Sequence, residues 1–288
     1  MSHRILITGK NSYIGTSVET WLNQSPENFI IDTIDTRDNA WKKADFSKYD
    51  VVFHVAGIAH ANAKEDQRDL YYKVNTDLTI EIAKHAKEKG VKQFIFMSSA
   101  IVYTSSELND GLITRDTVPY SEDPYGDSKI KAEEGILPLQ DDNFNVVVLR
   151  PPMVYGTGSK GNYPKLVKLA KSTPLFPDYN NKRSMLHIDN LSEIIRLIIQ
   201  NNDKGVFWPQ NSEYTKTSDM VKYIAEANNK KIYFTKIVNP FINILNKNKI
   251  ISKVFGNLYY DLSLSNYQNG DYQLNSLKQS ILKTEKKV

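Results

Sequence analysis

Ser99, Tyr125 and Lys129 have the side chains and the spacing to move a proton onto or off a carbonyl or carbinol oxygen. Tyr125 and Lys129 are four residues apart, so on a helix they share one face and point into one pocket. A serine at the end of a preceding strand can reach the same point. A tyrosine normally titrates near about 10, too high for efficient proton exchange near neutrality, and an ammonium beside it favours the phenolate. Spacing alone carries little weight. With 17 tyrosines and many lysines in the chain, roughly one or two such pairs arise by chance. Their position, between a strand and a helix and downstream of a nucleotide-type turn, gives this pair its meaning.

The elements that would position these residues follow from hydrophobic periodicity. Gln93–Met97 reads as a strand ending at Ser98-Ser99, and Pro124-Tyr125-Gly126-Asp127-Ser128-Lys129 opens a helix. Upstream, the apolar run Arg4–Thr8 leads into Gly9-Lys10-Asn11-Ser12-Tyr13-Ile14-Gly15 and a helical pattern through Leu22. A strand, a glycine turn and a helix can seat a pyrophosphate on the helix N-terminus, where glycines let the backbone come close. The short-chain dehydrogenase pattern is Thr-Gly-x-x-Gly-x-x-Gly; Thr8, Gly9 and Gly15 fit it, and Ser12 replaces the middle glycine. Serine is small enough to be tolerated there, and its hydroxyl can reach a phosphate. A plain strand–helix turn is the alternative.

A second strand, Phe29–Ile34, ends at Asp35, about 20 residues beyond Gly15, where a carboxylate accepts from ribose hydroxyls and favours NAD. Arg37 could instead pair with a 2′-phosphate, which keeps NADP open; a solvated loop aspartate is the plainer alternative. Asp45-Phe46 precede a third strand, Val51–Gly57, whose small C-terminal residues Ala56 and Gly57 leave room for a cofactor backbone. His54, inside that apolar run, reads as a core histidine. Glu65–Lys89 reads as a helix containing Asn75 and capped by Gly90. Ser105–Glu122 reads as a polar loop, and the strand Asn145–Leu149 leads into Arg150-Pro151-Pro152. Strands alternating with helices predict an α/β chain built on a doubly wound parallel Rossmann sheet, with ligands at the strand C-terminal ends.

After Gly161 the pattern is less regular: a helix over Tyr163–Ala170, a short strand over Arg183–Leu191 capping a helix over Ser192–Ile199, a segment Val206–Trp208, a helix over Ser218–Ala227 and a strand over Ile232–Thr235. Asn239–Phe255 mixes apolar residues with Lys247, Lys249 and Lys253 and suits a lid or substrate-domain helix, with an interfacial membrane helix as the alternative. The expected division is a nucleotide-binding domain over residues 1–155 and a smaller α/β substrate-binding domain over 156–288, partly interleaved with the first.

Composition sets the outer limits. The 288 residues, 40% hydrophobic and 24% charged, suit a globular protein with ample core. A net charge of +4 with scattered lysines argues against a nucleic-acid surface. No cysteine is present, which excludes disulfides and thiolate chemistry. The N-terminus enters a strand without a signal peptide, and no apolar run approaches the roughly 20 residues that span a bilayer. A cytoplasmic protein without stable membrane insertion is expected, and nothing in the residue set calls for a metal.

Taken together these residues resemble an extended short-chain dehydrogenase/reductase of the NAD-dependent epimerase/dehydratase family. The resemblance runs to about Leu277 and rests on Thr8-Gly9…Gly15, Asp35, Asp45, Ala56-Gly57, Asn75, Ser98-Ser99, Tyr125…Lys129, Arg150-Pro151…Val154-Tyr155-Gly156 and Arg183-Ser184…Ile188-Asp189-Asn190-Leu191. A narrower similarity, carried by His60, Gly161-Asn162-Tyr163, Pro174–Pro177, Arg183-Ser184 and Val254–Leu258 with Asp261, is to bacterial UDP-4-keto-6-deoxy-N-acetylhexosamine 4-reductases of capsule and O-antigen synthesis, with UDP-hexose 4-epimerases as near relatives. The resemblance implies NAD(H) or NADP(H) held by Gly9, Ser12, Tyr13, Ile14, Gly15, Asp35, Arg37, Asp45, Phe46, Ala56, Gly57, Asn75, Tyr125, Lys129 and Pro152. It implies Tyr125 as the acid at O4, Lys129 lowering the Tyr125 pKa and holding ribose hydroxyls, and Ser99 on the C4 oxygen. Asn162, Tyr163 and Arg183 would contact a UDP-sugar, Arg183 clamping the pyrophosphate, and Asn75 would sit near Lys129. Arg150 reads either as part of the site or as a strand-end ion pair.

The 4-ketoreductase is the leading reading and a UDP-N-acetylhexosamine 4-epimerase the second. A dehydratase is disfavoured because Tyr103-Thr104-Ser105-Ser106 lacks an acid before Glu107. A catalytically silent NAD(P) sensor is kept open by Ser12 alone. Homodimerisation through Glu65–Lys89 and Tyr125–Gly135 is an expectation from the resemblance.

Overall fold

The computed structural model describes residues 2–59, 67–104, 108–245 and 248–286. His60, Glu65, the run from Ser105 to Glu107 and Lys247 of the sequence reading lie outside the described residues. Two compact units are present. One comprises residues 1–106, 117–151 and 191–209; the other comprises 107–116, 152–190 and 210–288.

The chain begins with β1 (His3–Thr8), α1 (Tyr13–Leu22), β2 (Phe29–Ile34), β3 (Val51–His54), α2 (Arg68–Tyr71), a π-turn over Tyr72–Asp77 and α3 (Leu78–Glu88). Next come β4 (Gln93–Met97), β5 (Leu112–Ile113), α4 (Pro124–Ile136), β6 (Asn145–Leu149), β7 (Met153–Tyr155), α5 (Asn162–Ser172), β8 (Leu175–Pro177) and β9 (Met185–His187). The remainder is α6 (Ile188–Asn201), β10 (Gly205–Phe207), α7 (Thr217–Ala227), β11 (Tyr233–Thr235), α8 (Asn239–Leu245), α9 (Lys249–Phe255), β12 (Tyr259–Tyr260) and α10 (Leu277–Glu285).

In the first unit six parallel strands lie in the order β10-β6-β4-β3-β1-β2. Near-continuous Val, Ile and Phe in β3, β4 and β6 suit strands buried on both faces, and all four residues of β3 and all five of β4 are buried. The chain runs from β1 outward to β2, then crosses to the other side of β1 for β3, so the strand order reverses between β1 and β3. That reversal opens a crevice at the strand C-terminal ends, where ligands of such sheets bind. His54 is satisfied inside the sheet: Nδ1 lies 2.7 Å from Thr8 Oγ1 and Nε2 3.0 Å from Thr79 Oγ1. Burial, reinforced by the Lys129 charge, pushes its pKa down to about 3, so it stays neutral.

The second unit carries three two-stranded parallel ladders, β11-β8, β12-β5 and β7-β9, over a core that includes Tyr155, Tyr163, Phe176, Met185 and Phe255. Three expectations change here. The strand expected over Arg183–Leu191 spans Met185–His187, and a helix begins at Ile188. Its first turn is capped by His187, whose Nδ1 accepts from the Asp189 amide at 3.3 Å. Asn239–Phe255 forms two short helices rather than one. The polar loop contains the strand β5, too short for a periodicity to register, paired with β12. In the first unit, the strand expected over Val51–Gly57 ends at His54, with the Val55 amide turned to the Thr8 carbonyl at 3.2 Å.

Behind the C-terminal edge of the sheet lies a buried charge network. Glu133, one helical turn after Lys129 on α4, is 2% exposed, and Arg150 at the end of β6 is 8% exposed. Arg150 Nε lies 3.2 and 3.1 Å from the two Glu133 oxygens and Nη2 lies 2.5 Å from Oε2. Ser98 Oγ donates to the same carboxylate, and Arg150 Nη1 donates to the Tyr103 hydroxyl. Trp208 Nε1 also donates to Tyr103, at 2.8 Å. Desolvating two charges is costly, and the cost is offset only when every partner is in place. The ends of β4, β6 and β10 and the middle of α4 are therefore fixed together. Glu133→Gln is expected to lower unfolding stability by about 3–5 kcal/mol by stranding the guanidinium, while Glu133→Leu with Arg150→Met recovers part of the loss. Urea unfolding of the three proteins checks this; a single-variant loss below ~1 kcal/mol would show that the pair holds nothing.

Candidate functional site

Gly9 closes β1 with φ at +97°, and a Cβ there would lie 2.8 Å from the Ala56 amide nitrogen. Only glycine lets β1 and the β3 terminus come this close at the crevice. Ser12 caps α1 in an extended conformation and its Oγ accepts from the Gly15 amide at 3.1 Å. A Cβ at Gly15 would stand 2.6 Å from that oxygen. The serine in the middle-glycine position thus satisfies a free amide of the helix start. Tyr13 and Ile14 form the first turn, half-buried. The turn, with its positive-φ glycine and helix start, fits a dinucleotide pyrophosphate.

Asp35 and Arg37, which the sequence leaves as alternative ribose and 2′-phosphate contacts, are bonded to each other. The Arg37 amide donates to Asp35 Oδ1 at 2.9 Å, and the guanidinium donates to both carboxylate oxygens. That hydrogen bonding holds the Asp35 carboxyl at about 2. Asp45 caps a 3₁₀ turn, accepting from the Ser47 amide and hydroxyl at 3.0 and 2.6 Å, and its pKa is lowered by these bonds. Phe46 is fully buried against Trp41 and His85.

Asn75 sits in the π-turn, a local widening frequent at functional positions. Its Oδ1 accepts from the Ile58 amide at 2.8 Å, and its Nδ2 donates to the Ile58 carbonyl and to Ser128 Oγ, both at 3.1 Å. A Cβ on Gly57 would meet Asn75 Oδ1 at 3.0 Å and Lys129 Nζ at 3.4 Å. Gly57, Asn75 and Lys129 therefore converge on one spot.

Helix α4 begins where its sequence says it should. Asp123 caps it by accepting from the Tyr125 amide at 2.9 Å, and Pro124 occupies the first turn. Gly126 lets that turn abut Ser121, whose Oγ would lie 2.1 Å from a Cβ. Tyr125 is 7% exposed, beside Tyr71 with ring centroids 6.1 Å apart. Burial pushes its pKa up to about 12, and a hydrogen bond with Ser99 works in the opposite direction. Lys129, 5% exposed, donates to the Met97 carbonyl at 2.9 Å and lies 4.5 Å from the centre of the Phe96 ring. Burial lowers it to about 8, with the Glu133 charge acting to raise it. The expected lowering of Tyr125 by Lys129 is thus not what the geometry gives: the ammonium is turned to Met97, and desolvation dominates both groups.

Pro152, Asn162, Tyr163 and Arg183 belong to the second unit. Arg183 is paired through its backbone with Thr215 and Leu258, and its Nη1 donates to the Gly256 carbonyl at 2.9 Å. Burial lowers its pKa. Asn162 is exposed at the start of α5. Tyr163 is 3% exposed, stacks on Tyr155 and donates to Glu285 Oε1 at 2.9 Å. Glu133 and Trp208 are the residues the sequence reading passed over; an acid four residues after Lys129, on its own helical face, was the available signal.

Ser12→Ala is expected to lower stability by about 1 kcal/mol and Ser12→Gly by only a few tenths. Thermal unfolding with and without cofactor checks this; an equal loss for both substitutions would place the hydroxyl's role outside the cap.

Residues 5–207 match the profile of the NAD dependent epimerase/dehydratase family. A UDP-glucose 4-epimerase from Vibrio cholerae is 29% identical over 290 residues, covering 91% of this chain and 88% of that protein. Among solved structures, the dTDP-4-dehydrorhamnose reductase of Bacillus anthracis in complex with NADP superposes with a TM-score of 0.71 at 18% identity, covering 99% of each chain. The UDP-glucuronic acid 4-epimerase of Bacillus cereus in complex with NAD does so with 0.73 at 18% identity, covering 98% of this chain and 97% of that one. These likenesses show the Rossmann fold, and the family depends on NAD(P), so NAD(H) or NADP(H) is the cofactor. The chain belongs to the NAD-dependent epimerase/dehydratase family.

Proposed function

We propose that this protein reduces the C4 keto group of a UDP-4-keto-6-deoxy-N-acetylhexosamine. The observation that carries the reading is Tyr125: buried, hydrogen-bonded with Ser99, and pushed up to about 12. Such a phenol holds its proton throughout the neutral range, the form needed to give a proton to a carbonyl oxygen. Ser99, at the mouth of β4, hydrogen-bonds the same oxygen and orients it. Lys129 sits one turn along the same helix, where its ammonium favours negative charge developing on the oxygen and can hold the ribose. Gly9, Ser12–Gly15 and Asp35 hold the dinucleotide, and the cofactor, when bound, supplies the hydride. Arg183 is the proposed pyrophosphate contact, with Asn162 and Tyr163 as further substrate-side residues, and the role in capsule or O-antigen precursor synthesis follows from the substrate class.

The second reading is a 4-epimerase, favoured by Asp35 and by the UDP-glucose 4-epimerase of Vibrio cholerae, matched over 91% of this chain. Incubation with NADH or NADPH and the 4-keto sugar nucleotide separates the two readings. Stoichiometric loss of reduced-nicotinamide absorbance supports the reductase. Interconversion of UDP-N-acetylglucosamine and UDP-N-acetylgalactosamine without net consumption would replace it with the epimerase.

Tyr125→Phe is expected to lower kcat by about 10²–10⁴-fold with the fold intact; undiminished turnover would remove Tyr125 from the mechanism. Lys129 is depressed to about 8, so its charge is present below that pH and lost above it. Reduction is expected to decline as pH rises through about 8 and to stay level from there down to pH ~6, since Tyr125 keeps its proton throughout. A pH profile of kcat/KM that rises through the same window would contradict the assignment.

A further inference from the structure

The second unit carries an apolar face unrelated to the residues above. In the β8-β11 ladder Leu175 is paired with Tyr233, and the two are 53% and 58% exposed, while their neighbours Phe176 and Phe234 pack into the core. Directly after β11, Ile237, Phe241, Ile244 and Leu245 are spaced at three and four residues and are 82%, 64%, 76% and 51% exposed. Val238, just before α8, and Ile242 within it pack into the core. The helix is thus buried on one face and apolar on both. Large apolar side chains grouped in this way on a surface mark a site of association.

The charge around this face says with what. From Asn228 to Asn257 the sequence holds six lysines and no aspartate or glutamate. Lys230, Lys231 and Lys236 are exposed in the segment that also carries Tyr233 and Ile237. Lys231 Nζ lies 5.2 Å from the centre of the Tyr233 ring, so positive charge and exposed aromatic surface meet directly. Lys236 has an acidic neighbour, Asp178, at 3.8 Å. A short apolar helix preceded by exposed lysines suits the plane of a bilayer interface, where apolar side chains sit among the acyl boundaries and ammonium groups among anionic headgroups. Among the described residues no helix is long and apolar enough to cross a membrane, so the contact is peripheral.

We propose that the face formed by Leu175, Tyr233, Ile237, Phe241, Ile244 and Leu245 docks the protein onto an anionic phospholipid surface. Docking brings the enzyme to a membrane without inserting it and does not depend on which C4 reaction the protein performs.

Vesicle co-sedimentation of the full chain tests this, with phosphatidylcholine vesicles compared with phosphatidylcholine–phosphatidylglycerol vesicles. Partitioning is expected to be roughly a hundredfold stronger on the anionic vesicles, as three lysines at the surface predict, and to fall steeply with added salt. Phe241→Glu with Ile244→Glu is expected to abolish it, and Lys230→Glu with Lys231→Glu to reduce it at least about tenfold. Both variants should keep their thermal unfolding midpoint and their turnover of the soluble nucleotide sugar. Failure of the wild type to bind anionic vesicles, or undiminished binding by the Phe241/Ile244 variant, would overturn the proposal. So would light scattering that shows a dimer broken by the same substitutions, which would assign the face to a second copy of the chain.

Discussion

The carboxylate of Glu133 is the point at which the first unit of this protein is tied together. It receives the Arg150 guanidinium and the Ser98 hydroxyl in a place almost closed to water. A buried ion pair contributes little when compared with well-packed apolar residues, and a great deal when one member is taken away. Its value here is placement. Ser98 immediately precedes Ser99, Glu133 follows Lys129 by one helical turn, and Arg150 reaches Tyr103 and through it Trp208. The relative position of a strand end and a helix face, which decides whether Ser99 and Tyr125 can share one oxygen, is set by charges that have no other way to be satisfied.

Burial decides protonation on the same helix. It acts on Tyr125 and Lys129 in opposite directions, because each is penalised in its charged form. Tyr125 becomes a firmer acid-form phenol and Lys129 a weaker base, with Glu133 restraining the second shift. Tyr125 thus keeps its proton in the neutral range, while the Lys129 ammonium is held at the Met97 carbonyl. Gly9, Gly57 and Gly126 serve that arrangement by close approach: a methyl group on any of them would strike Ala56, Asn75 or Ser121.

Much of this was legible in the sequence because it is local. The apolar runs of β1, β2, β4 and β6, the Asp123-Pro124 helix start and the Tyr125…Lys129 spacing each state their own structure. Their order along the chain implied the parallel sheet and the crevice beside Gly9. What was not legible depends on which partners the folded backbone brings together, near or far along the chain. Asp35 and Arg37 were read as competing ligand contacts, and their ion pair appears only once the loop is folded. Ser12 was read as a departure from a glycine pattern and is a helix cap. Glu133 is separated by 17 residues from Arg150, and nothing in either neighbourhood announces the other. His187 looked like the middle of a strand because its apolar neighbours alternate, and the hydrogen bond from Asp189 that starts a helix there is invisible to periodicity.

The central claim is that Tyr125 delivers a proton to O4 while hydride arrives at C4 from the reduced cofactor. Reaction of the UDP-4-keto-6-deoxy-N-acetylhexosamine with NAD(P)H deuterated at the transferable position, followed by NMR of the sugar product, tests it most directly. The account predicts one deuterium at C4 of the product and none elsewhere, with loss of labelled product when Tyr125 is phenylalanine. A product free of deuterium, or label found at another carbon, would contradict it.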